Sequence, residues 1–265
     1  MKFRSMQILT LLTVAAGAAR VATAAEPSSP WSLSISGGAS VGESGALRSA
    51  MTADFTDLGT LDPTLSGQSG TLRLDSLRYE DLFRRRFDTG LELDYSFSQN
   101  LQTYGRFGYD SLGGRTTTIG TLDSASLGTP AEVRAHFDDA DNMSLQFGSR
   151  YFWTTGSDWR PFAGLALGAT HLDSMRATLT SADLSTDLTD LRFSRAGIVF
   201  SQSLETGVDY TPNSALGLRL SVNADHFGRP PNGDDARTSV LGFGPSDEAH
   251  SLWSFPVSIA ANYRF

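Results

Sequence analysis

The last residues of this chain alternate between apolar and polar side chains, and this pattern constrains the fold more than any other feature. The apolar set is Trp253, Phe255, Val257, Ile259, Ala261, Tyr263 and Phe265, and the polar set is Ser254, Ser258, Asn262 and Arg264. Successive residues of a β-strand point to opposite faces of its sheet, so the pattern predicts a strand with one apolar and one polar face. An exposed apolar face that ends in aromatic residues is typical of a strand in contact with lipid.

The amino terminus predicts a secreted protein. Lys2 and Arg4 precede an apolar stretch over residues 8–19, and small residues at Ala22, Ala24 and Ala25 follow it. This order is that of a cleaved signal peptide, which we place at residues 1–25. The apolar stretch is shorter than the ~20 residues that a spanning helix needs. An uncleaved membrane anchor is the alternative.

Composition narrows the function classes. The chain has no cysteine, which excludes disulfide frameworks, thiol chemistry and cysteine-based metal sites. Without Lys2, Arg4 and Arg20, 18 basic residues remain of the 21, against 29 acidic ones, a formal charge of about −11. Nucleic acid is therefore not an expected partner. After the signal no apolar run reaches the ~18 residues of a spanning helix, so a membrane could be crossed only by a closed barrel.

The alternation recurs in eight segments. They lie near residues 31–41, 87–97, 101–110, 143–153, 163–169, 198–210, 216–222 and 253–265. Short connections near 98–100, 154–159 and 211–214 alternate with long ones at about 42–86, 111–142, 173–195 and 228–250. This order predicts that residues 26–265 form an all-β, closed, antiparallel up-and-down transmembrane barrel of eight strands. The short turns and both termini are then periplasmic, and the long loops are external.

Three further readings of the pattern concern the wall of the barrel. A ten-stranded wall results if residues 71–80 pair with part of 46–60. A soluble barrel of lipocalin type would place the apolar face inside, but aromatic residues grouped near both strand ends favour contact with a bilayer. The alternation of Val133, Ala135 and Phe137 with polar neighbours suggests that some strands continue beyond the membrane as an external sheet.

The signal, the eight strands, the alternating loop lengths and the final Tyr263-Arg264-Phe265 resemble the small outer-membrane barrels of the OmpA transmembrane-domain, OmpX and OmpW type. The resemblance implies a location in the outer membrane, and we expect a monomer without a cofactor. It also implies that the barrel-assembly machinery reads the last strand, with Tyr263 and Phe265 as its signal. Outer-membrane lipids and lipopolysaccharide are the surrounding partners, and an extracellular surface ligand would bind the loops.

Charged residues on the polar faces predict a network inside the barrel. By parity the residues that point inward at one level are Glu92, Arg106, Arg150, Glu205 and Arg219. An eight-stranded barrel is narrow enough for side chains to fill it. Confined charges are costly unless they are paired, so we expect one connected Arg–Glu layer.

The turn positions predict the pairing within this layer. A hairpin centred on Gln99 places Glu92 opposite Arg106. One centred on Pro212 places Glu205 opposite Arg219, and Arg150 faces a glycine and has room to reach across. Such a layer predicts a closed lumen and a structural or surface-interacting protein. The alternative is a gate in which the charges exchange partners and open a narrow, low-conductance path.

Enzymatic function has little support in the sequence. Lipid A-modifying barrels need a histidine, usually with a serine and an acid, near the outer rim. The nearest arrangement is His171 with Asp173 and Ser174, and His136, His226 and His250 also fall in external regions. None has the His-x-Ser spacing of the PagL-type deacylase. We therefore expect no catalytic residues.

Three clusters of charged residues lie outside the predicted membrane span. Asp138, Asp139 and Asp141, like Asp234 and Asp235 in the last loop, are read as solvated acids, so no metal site is predicted. A divalent-cation site at either cluster is the alternative. Arg84, Arg85 and Arg86 precede the second strand, where lipopolysaccharide phosphates are expected to lie. They are interpreted as a lipid contact or as a solubilising basic run.

Overall fold

A computed structural model describes residues 29–153, 158–182, 184, 187–212, 215–231 and 251–265, without the side chains of 85 and 188–190. The predicted signal peptide at 1–25 lies outside these residues, as do Asp234, Asp235 and His250. Among the described residues, no helix is long and apolar enough to cross a membrane.

Eight long antiparallel strands close into a barrel. They are β1 (Trp31–Ser44), β6 (Phe83–Ser96), β7 (Leu101–Gly114), β10 (Ala140–Phe152), β11 (Trp159–Leu172), β14 (Gly197–Tyr210), β15 (Leu216–Phe227) and β16 (Leu252–Arg264). Their order around the barrel is β1-β16-β15-β14-β11-β10-β7-β6. Each strand pairs with its neighbours in this order, and β16 pairs with β1. The predicted all-β, eight-stranded up-and-down barrel is confirmed.

The wall of the barrel is apolar outside and polar inside. Leu93, Leu218 and Ile259 point outward and are 47%, 51% and 58% exposed. Serine, glutamine and charged side chains on the same strands are buried in the lumen. The lipocalin-type alternative is therefore wrong, because its apolar residues would have to line the interior. Exposed apolar side chains around a closed sheet are stable only against lipid, so the barrel spans a membrane.

Aromatic rings gather at the end of the barrel where β1 begins, β16 ends and β6 is joined to β7, which we call the terminus end. Trp31 packs edge-on against Tyr95 with ring centroids 4.9 Å apart, and Trp159 lies 4.5 Å from Tyr210. Tyr263 and Phe265 also pack together, at 5.5 Å. Aromatic girdles are favoured where a membrane meets water, so these rings mark one boundary of the apolar band.

A second body, the cap, is built from the described parts of residues 45–82, 115–139 and 173–196 at the opposite end. The strands of its main sheet are β3 (Met51–Phe55), β4 (Gly70–Leu74), β8 (Thr116–Asp123), β9 (Ala131–Phe137), β12 (Met175–Thr180) and β13 (Leu188–Ser194). The sheet has the order β13-β12-β9-β8-β4-β3. A smaller pair, β2 (Ala46–Arg48) and β5 (Leu77–Arg78), precedes helix α1 (Tyr79–Leu82).

The cap corrects the reading of the long connections. Segments at 42–86, 111–142 and 173–195 contain strands, and the alternation over Val133–Phe137 belongs to β9. Residues 51–55 do pair with 70–74, as the ten-strand alternative requires. They do so in the cap sheet and not in the wall, so ten strands are excluded by the closed order.

The apolar core of the protein lies in the cap and continues into the adjoining end of the barrel. Leu58, Leu82 and Ile119 are fully buried in it, and Leu122 and Phe137 are each 1% exposed. The same core includes inward side chains of the barrel strands, which we call the apolar ring: Phe83, Leu112, Ala140, Leu172, Val199, Phe227 and Leu252. The cap end of the lumen is thus closed by packed apolar side chains.

Candidate functional site

Arg150 is the centre of a charged layer across the lumen. It lies on β10 opposite Gly164 and is 0% exposed. Its Nη1 and Nη2 donate to the two carboxylate oxygens of Glu92 at 2.5 and 2.7 Å. Its Nε and Nη2 donate to Oε2 of Glu205 at 2.9 and 2.8 Å, and Nη1 reaches Asp94 at 3.1 Å. One buried guanidinium therefore joins three carboxylates from two sides of the barrel.

The space for this guanidinium comes from Gly164 and Tyr104. A Cβ atom at Gly164 would lie 2.9 Å from Cγ of Arg150. On the other side the Tyr104 ring centroid is 3.8 Å from Cζ of Arg150. A cation over an aromatic face gains electrostatic attraction, most of all where water is excluded. The side chain is thus held by hydrogen bonds in its plane and by a ring above it.

Arg106 and Arg219 complete the layer. Arg106 donates from Nε to Glu92 at 2.9 Å and from Nη2 to Glu205 at 3.1 Å. Arg219 donates from Nη1 to Oε1 of Glu92 at 2.6 Å. The structure therefore brings all five predicted lumen residues into contact. With Asp94, which accepts a 2.9 Å bond from Ser34, three carboxylates face three guanidinium groups.

The pairing of strands is correct for one predicted hairpin and wrong for the other. Glu92 lies opposite Arg106, as a turn centred on Gln99 requires. Glu205 lies opposite Asn223, and Arg219 lies opposite Asp209, so the predicted Glu205–Arg219 pair is wrong. The reason is the turn: β14 ends at 210 and β15 begins at 216, so the hairpin centre lies beyond Pro212. Arg219 still joins the layer, because the lumen is narrow enough for it to reach Glu92.

Arg86 is not available to lipopolysaccharide. It is 6% exposed and donates from Nη2 to Oδ2 of Asp110 at 2.7 Å inside the lumen. Asp110 also accepts from Asn142 at 2.8 Å, and the guanidinium lies 4.7 Å from the Phe227 ring centroid. The lipid contact predicted for Arg86 is therefore wrong. Arg84 is exposed and remains a predicted contact, and the side chain of Arg85 lies outside the described part of the chain.

The signal that identifies Arg86 was present in the sequence. Positions 86, 88, 90 and 92 share one parity on β6, and Glu92 was already assigned to the lumen. A run of three arginines suggested a basic surface patch, yet alternation separates its members onto two faces of the strand. Applying the strand period to every residue of the run would have placed Arg86 correctly.

The charged layer separates two polar spaces. The larger space lies on the cap side and has a cavity volume of about 70 Å³. A smaller space of about 20 Å³ opens at the terminus end, lined in part by Gln102, Arg160 and Asp209. Along the axis the lumen therefore runs from this small opening through the charged layer to a chamber below the apolar ring.

The histidines do not form a catalytic arrangement within the described residues. No hydrogen bond joins the exposed His171 to Asp173 or Ser174, and Asp173 instead accepts from the backbone amide of Ser174 at 2.6 Å. His136 contacts the Thr116 hydroxyl at 2.9 Å, and His226 contacts the Gln202 amide at 3.0 Å. These contacts give the rings structural partners.

The remaining candidate residues lie at the two ends of the molecule. Phe265 is half exposed at the terminus end, and its amide donates to the Trp31 carbonyl at 3.2 Å where β16 closes on β1. Its role with Tyr263 as an assembly signal remains a prediction. At the cap end Asp138 and Asp141 are exposed, and Asp139 accepts from the Gly114 amide at 2.8 Å.

No protein-family model matches the chain. No curated protein sequence matches it either. Similar solved structures include the Neisserial surface protein A, NspA, at 12% identity, covering 89% of this chain and 96% of that one, with a TM-score of 0.42. Ail, the attachment invasion locus protein of Yersinia pestis, is 12% identical over 88% of this chain and 98% of its own, with a TM-score of 0.36. The outer membrane protease OmpT of Escherichia coli is 9% identical over 92% and 99%, with a TM-score of 0.39.

These values are low, and surface proteins stand beside a protease, so nothing about activity follows from them. The type of fold rests on this chain's own closed strand order and its apolar outer band. In that architecture the chain is similar to the small outer-membrane β-barrels.

Proposed function

We propose that this chain is an outer-membrane protein whose barrel is a closed anchor and whose cap is a surface-exposed interaction domain. The observation that carries the proposal is the complete burial of Arg150 among Glu92, Asp94 and Glu205. A side chain held by this many charge-assisted bonds is fixed in one position. The lumen then serves stability, and function belongs to the cap.

Energetic considerations support a closed lumen. Removing one partner from a buried ion pair leaves an uncompensated charge, which costs about 3–5 kcal/mol. To open a path for ions, Arg150, Arg106 or Arg219 would have to move away from its carboxylates. This movement would leave buried charges unpaired and would carry a similar cost. The apolar ring is a second barrier, at the cap end of the lumen. Its packed side chains, among them Phe83 and Leu112, exclude ions and water.

The outer face of the cap is the candidate interaction surface. On β8 and β9 the polar residues Thr116, Glu132, Arg134 and His136 are exposed, while their neighbours fill the core. Arg134 binds Glu132 at 3.2 Å, and both remain more than half exposed. A mixed polar sheet face of this kind suits a polar or charged partner on the cell exterior. With both termini in the periplasm, the cap lies outside the cell.

Purified protein in planar bilayers tests the closed lumen. We expect no steady ion conductance from the wild type. Glu92→Gln and Arg106→Gln target the layer, and Glu132→Gln on the exposed cap face is the matched control. Stable channels in the wild type that change with either lumen variant, and not with the control, would establish the alternative of a gated low-conductance pore.

One observation favours that alternative enough to keep it in the test. Polar spaces lie on both sides of the charged layer, so water reaches close to it from each side. The apolar ring still has to open for conduction, so the pore alternative requires movement of the cap. Channels that appear only after the cap strands are deleted would support a closed native lumen and locate its outer barrier in the cap.

Absence of enzymatic activity is also part of the proposal. It is supported by the side chain of Asp173, which accepts a hydrogen bond from the Ser174 amide and none from His171. Mass spectra of lipid A from cells that overproduce the protein are expected to match those from deletion cells. A loss or gain of an acyl chain that depends on His171 would replace the proposal with a lipid A-modifying function.

A further inference from the structure

The lumen chamber between the charged layer and the apolar ring is open because small residues line it. Ser36, Gly90, Gly108, Ser144 and Ser221 all face this space. A Cβ atom at Gly90 would lie 2.8 Å from the Ser36 hydroxyl, and one at Gly108 would lie 2.5 Å from that of Ser144. Larger side chains would fill the space, as they do in the charged layer below. The sequence thus keeps a polar cavity inside an otherwise packed barrel.

The charges around the chamber do not balance. Three arginines line the chamber, of which Arg106 and Arg219 belong to the charged layer, and Arg86 is hydrogen-bonded to Asp110. The same guanidinium also interacts electrostatically with Glu43 and Asp225. Asp88 is attracted by Arg86 and repelled by Asp225 and Asp110. The layer below has no positive charge to spare, because its arginines are matched by Glu92, Asp94 and Glu205.

Two carboxylates in the chamber have no ion-pair partner among the described residues, namely Asp88 and Asp225. Oδ2 of Asp88 accepts only a long 3.4 Å bond from the Ser258 hydroxyl, and its Oδ1 has no hydrogen-bond donor there. Both residues line the cavity. Arg86 attracts both carboxylates, and Arg106 attracts Asp225, but within the described part of the chain neither carboxylate has a cation in direct contact. Buried negative charges without a direct partner are costly unless a cation joins them.

Asn223 is an independent indication of a ligand. It precedes Asp225 at the next inward position of β15 and is only 6% exposed. Asn223 lines the chamber, and its buried Oδ1 has no hydrogen-bond donor among the described residues. Buried polar groups are nearly always satisfied, and an amide oxygen beside carboxylates is a typical oxygen ligand of hard cations.

We propose that the chamber binds one hydrated divalent cation, Mg²⁺ in preference to Ca²⁺, through Asp88, Asp225 and Asn223. No three acidic or histidine side chains of the described residues lie close enough together to chelate a bare ion. Mg²⁺ keeps most of its water and needs only one or two carboxylates, whereas Ca²⁺ takes six to eight direct oxygen ligands. The chamber, with a cavity volume of about 70 Å³, is polar and has room for ordered water beside an ion.

The chamber lies between the charged layer and the apolar ring, which both hinder exchange with bulk water, so the ion is expected to enter most readily while the barrel folds. Wild-type protein is refolded into detergent micelles with Mg²⁺, with Ca²⁺ or with EDTA, and then dialysed against EDTA. Elemental analysis is expected to find about one Mg²⁺ per chain after folding in Mg²⁺, and much less Ca²⁺ after folding in Ca²⁺. The Mg²⁺-folded protein is expected to unfold at a higher temperature than the EDTA-folded protein.

The double variant Asp88→Asn/Asp225→Asn tests the site directly. It is expected to retain at least tenfold less Mg²⁺ and to fold in EDTA more readily than the wild type, because the repulsion between the carboxylates is gone. Asp138→Asn, an exposed acid of the cap, is the matched control and is expected to retain Mg²⁺ like the wild type. Asn223→Leu is expected to lower retention without removing charge.

Each of several results would overturn the proposal. One is a wild type that holds no Mg²⁺ and unfolds at the same temperature with or without it. Another is retention of Ca²⁺ above Mg²⁺. A third is equal retention by the wild type and the double variant, which would place the ion elsewhere. If the double variant does not fold, the wild-type and Asn223→Leu measurements still decide the question.

Discussion

Apolar and polar residues alternate along the strands of both the barrel and the cap, but the apolar face is exposed in the barrel and buried in the cap. Phe137 on β9 and Phe147 on β10 lie in consecutive strands and share the same parity. Phe137 is 1% exposed in the cap core, whereas Phe147 is 65% exposed on the wall. Alternation therefore identifies a strand in both places, but it does not say whether the apolar face is buried inside the protein or exposed on its outside. The surroundings decide that: lipid covers the wall, and the apolar core of the cap covers the buried side chains of its sheet.

The inward face of a single barrel strand changes from apolar residues near the cap to polar residues in the lumen. On β10 the inward face begins with Ala140 of the apolar ring and continues with Asn142, Gln146 and Arg150 in the lumen. On β14 Val199 of the ring is followed by the buried Ser201. Residues on one face of one strand thus pass from an apolar core to a charged interior within a few positions. The ring is the boundary between the two regions.

The largest expected effect comes from removing the charge at the centre of the barrel. Arg150→Met keeps the unbranched stem of the side chain but removes the guanidinium, and it leaves Glu92, Glu205 and Asp94 with one cation fewer in a confined space. We expect the free energy of unfolding to fall by about 3–5 kcal/mol. Urea unfolding in lipid vesicles, followed by tryptophan fluorescence, measures it.

Arg78→Met in the cap is the control for this prediction. Arg78 binds Glu80 at 2.7 Å, but the side chains are 50% and 40% exposed. Exposed ion pairs contribute about 0–1 kcal/mol, so little change is expected. Equal losses at the two arginines would mean that the lumen is as well solvated as the cap surface.

A leucine-to-alanine pair tests the cap side of the comparison. Leu122 lies on β8 in the cap core, and Leu204 is 62% exposed on the barrel wall. Leu122→Ala leaves a cavity and is expected to destabilise the cap by about 2–5 kcal/mol. Leu204→Ala is expected to cost less, because lipid chains fill the space. The measurement is protease cleavage of the cap in folded protein. Equal sensitivity of both variants would contradict the assignment of Leu122 to a packed core and of Leu204 to the lipid-facing wall.

Arginine substitutions on the wall test where lipid begins. Leu165 lies midway along β11, whereas Leu218 pairs with Tyr210 beside the aromatic rings of the terminus end. Leu165→Arg is expected to cost about 2–4 kcal/mol and Leu218→Arg about 0–1 kcal/mol, since the penalty depends on depth. Unfolding in vesicles compares them. The reverse order would move the middle of the apolar band away from Leu165 and toward the terminus end.

The barrel could be predicted from sequence because its signals are local and repeated. Each strand alternates, the short turns preserve parity, and the register of a hairpin follows from its turn. The prediction failed where a turn length was misjudged, at Glu205 and Arg219, and where parity was not applied to a basic run, at Arg86. Both errors concern which side chains meet across the lumen, and neither affects the closed sheet.

The cap could not be predicted in the same way. Its strands are short, and β4 pairs with β8 and β9 with β12 across long stretches of chain. Such pairings leave no mark in local spacing. Only the alternation at Val133, Ala135 and Phe137 was regular enough to suggest a sheet outside the membrane. The chamber below the ring was also hidden, because it depends on which small residues from different strands face each other.

The smallest expected effect is an acid-sensitive turn in the cap, and it has no counterpart on the lipid-facing wall. Asp57 accepts hydrogen bonds from the amides of Gly59 and Gly67, each at 2.8 Å, and these bonds lower its pKa below the ordinary 3.8. A carboxylate whose pKa is depressed on folding stabilises the fold above the unfolded-state pKa, and this contribution is lost as the pH falls through the lowered value. The Gly59 and Gly67 amide proton shifts are therefore expected to move only below about pH 4. Asp57→Asn keeps the acceptor oxygen and is expected to abolish this titration, so an unchanged pH profile in that variant would assign the transition to another group.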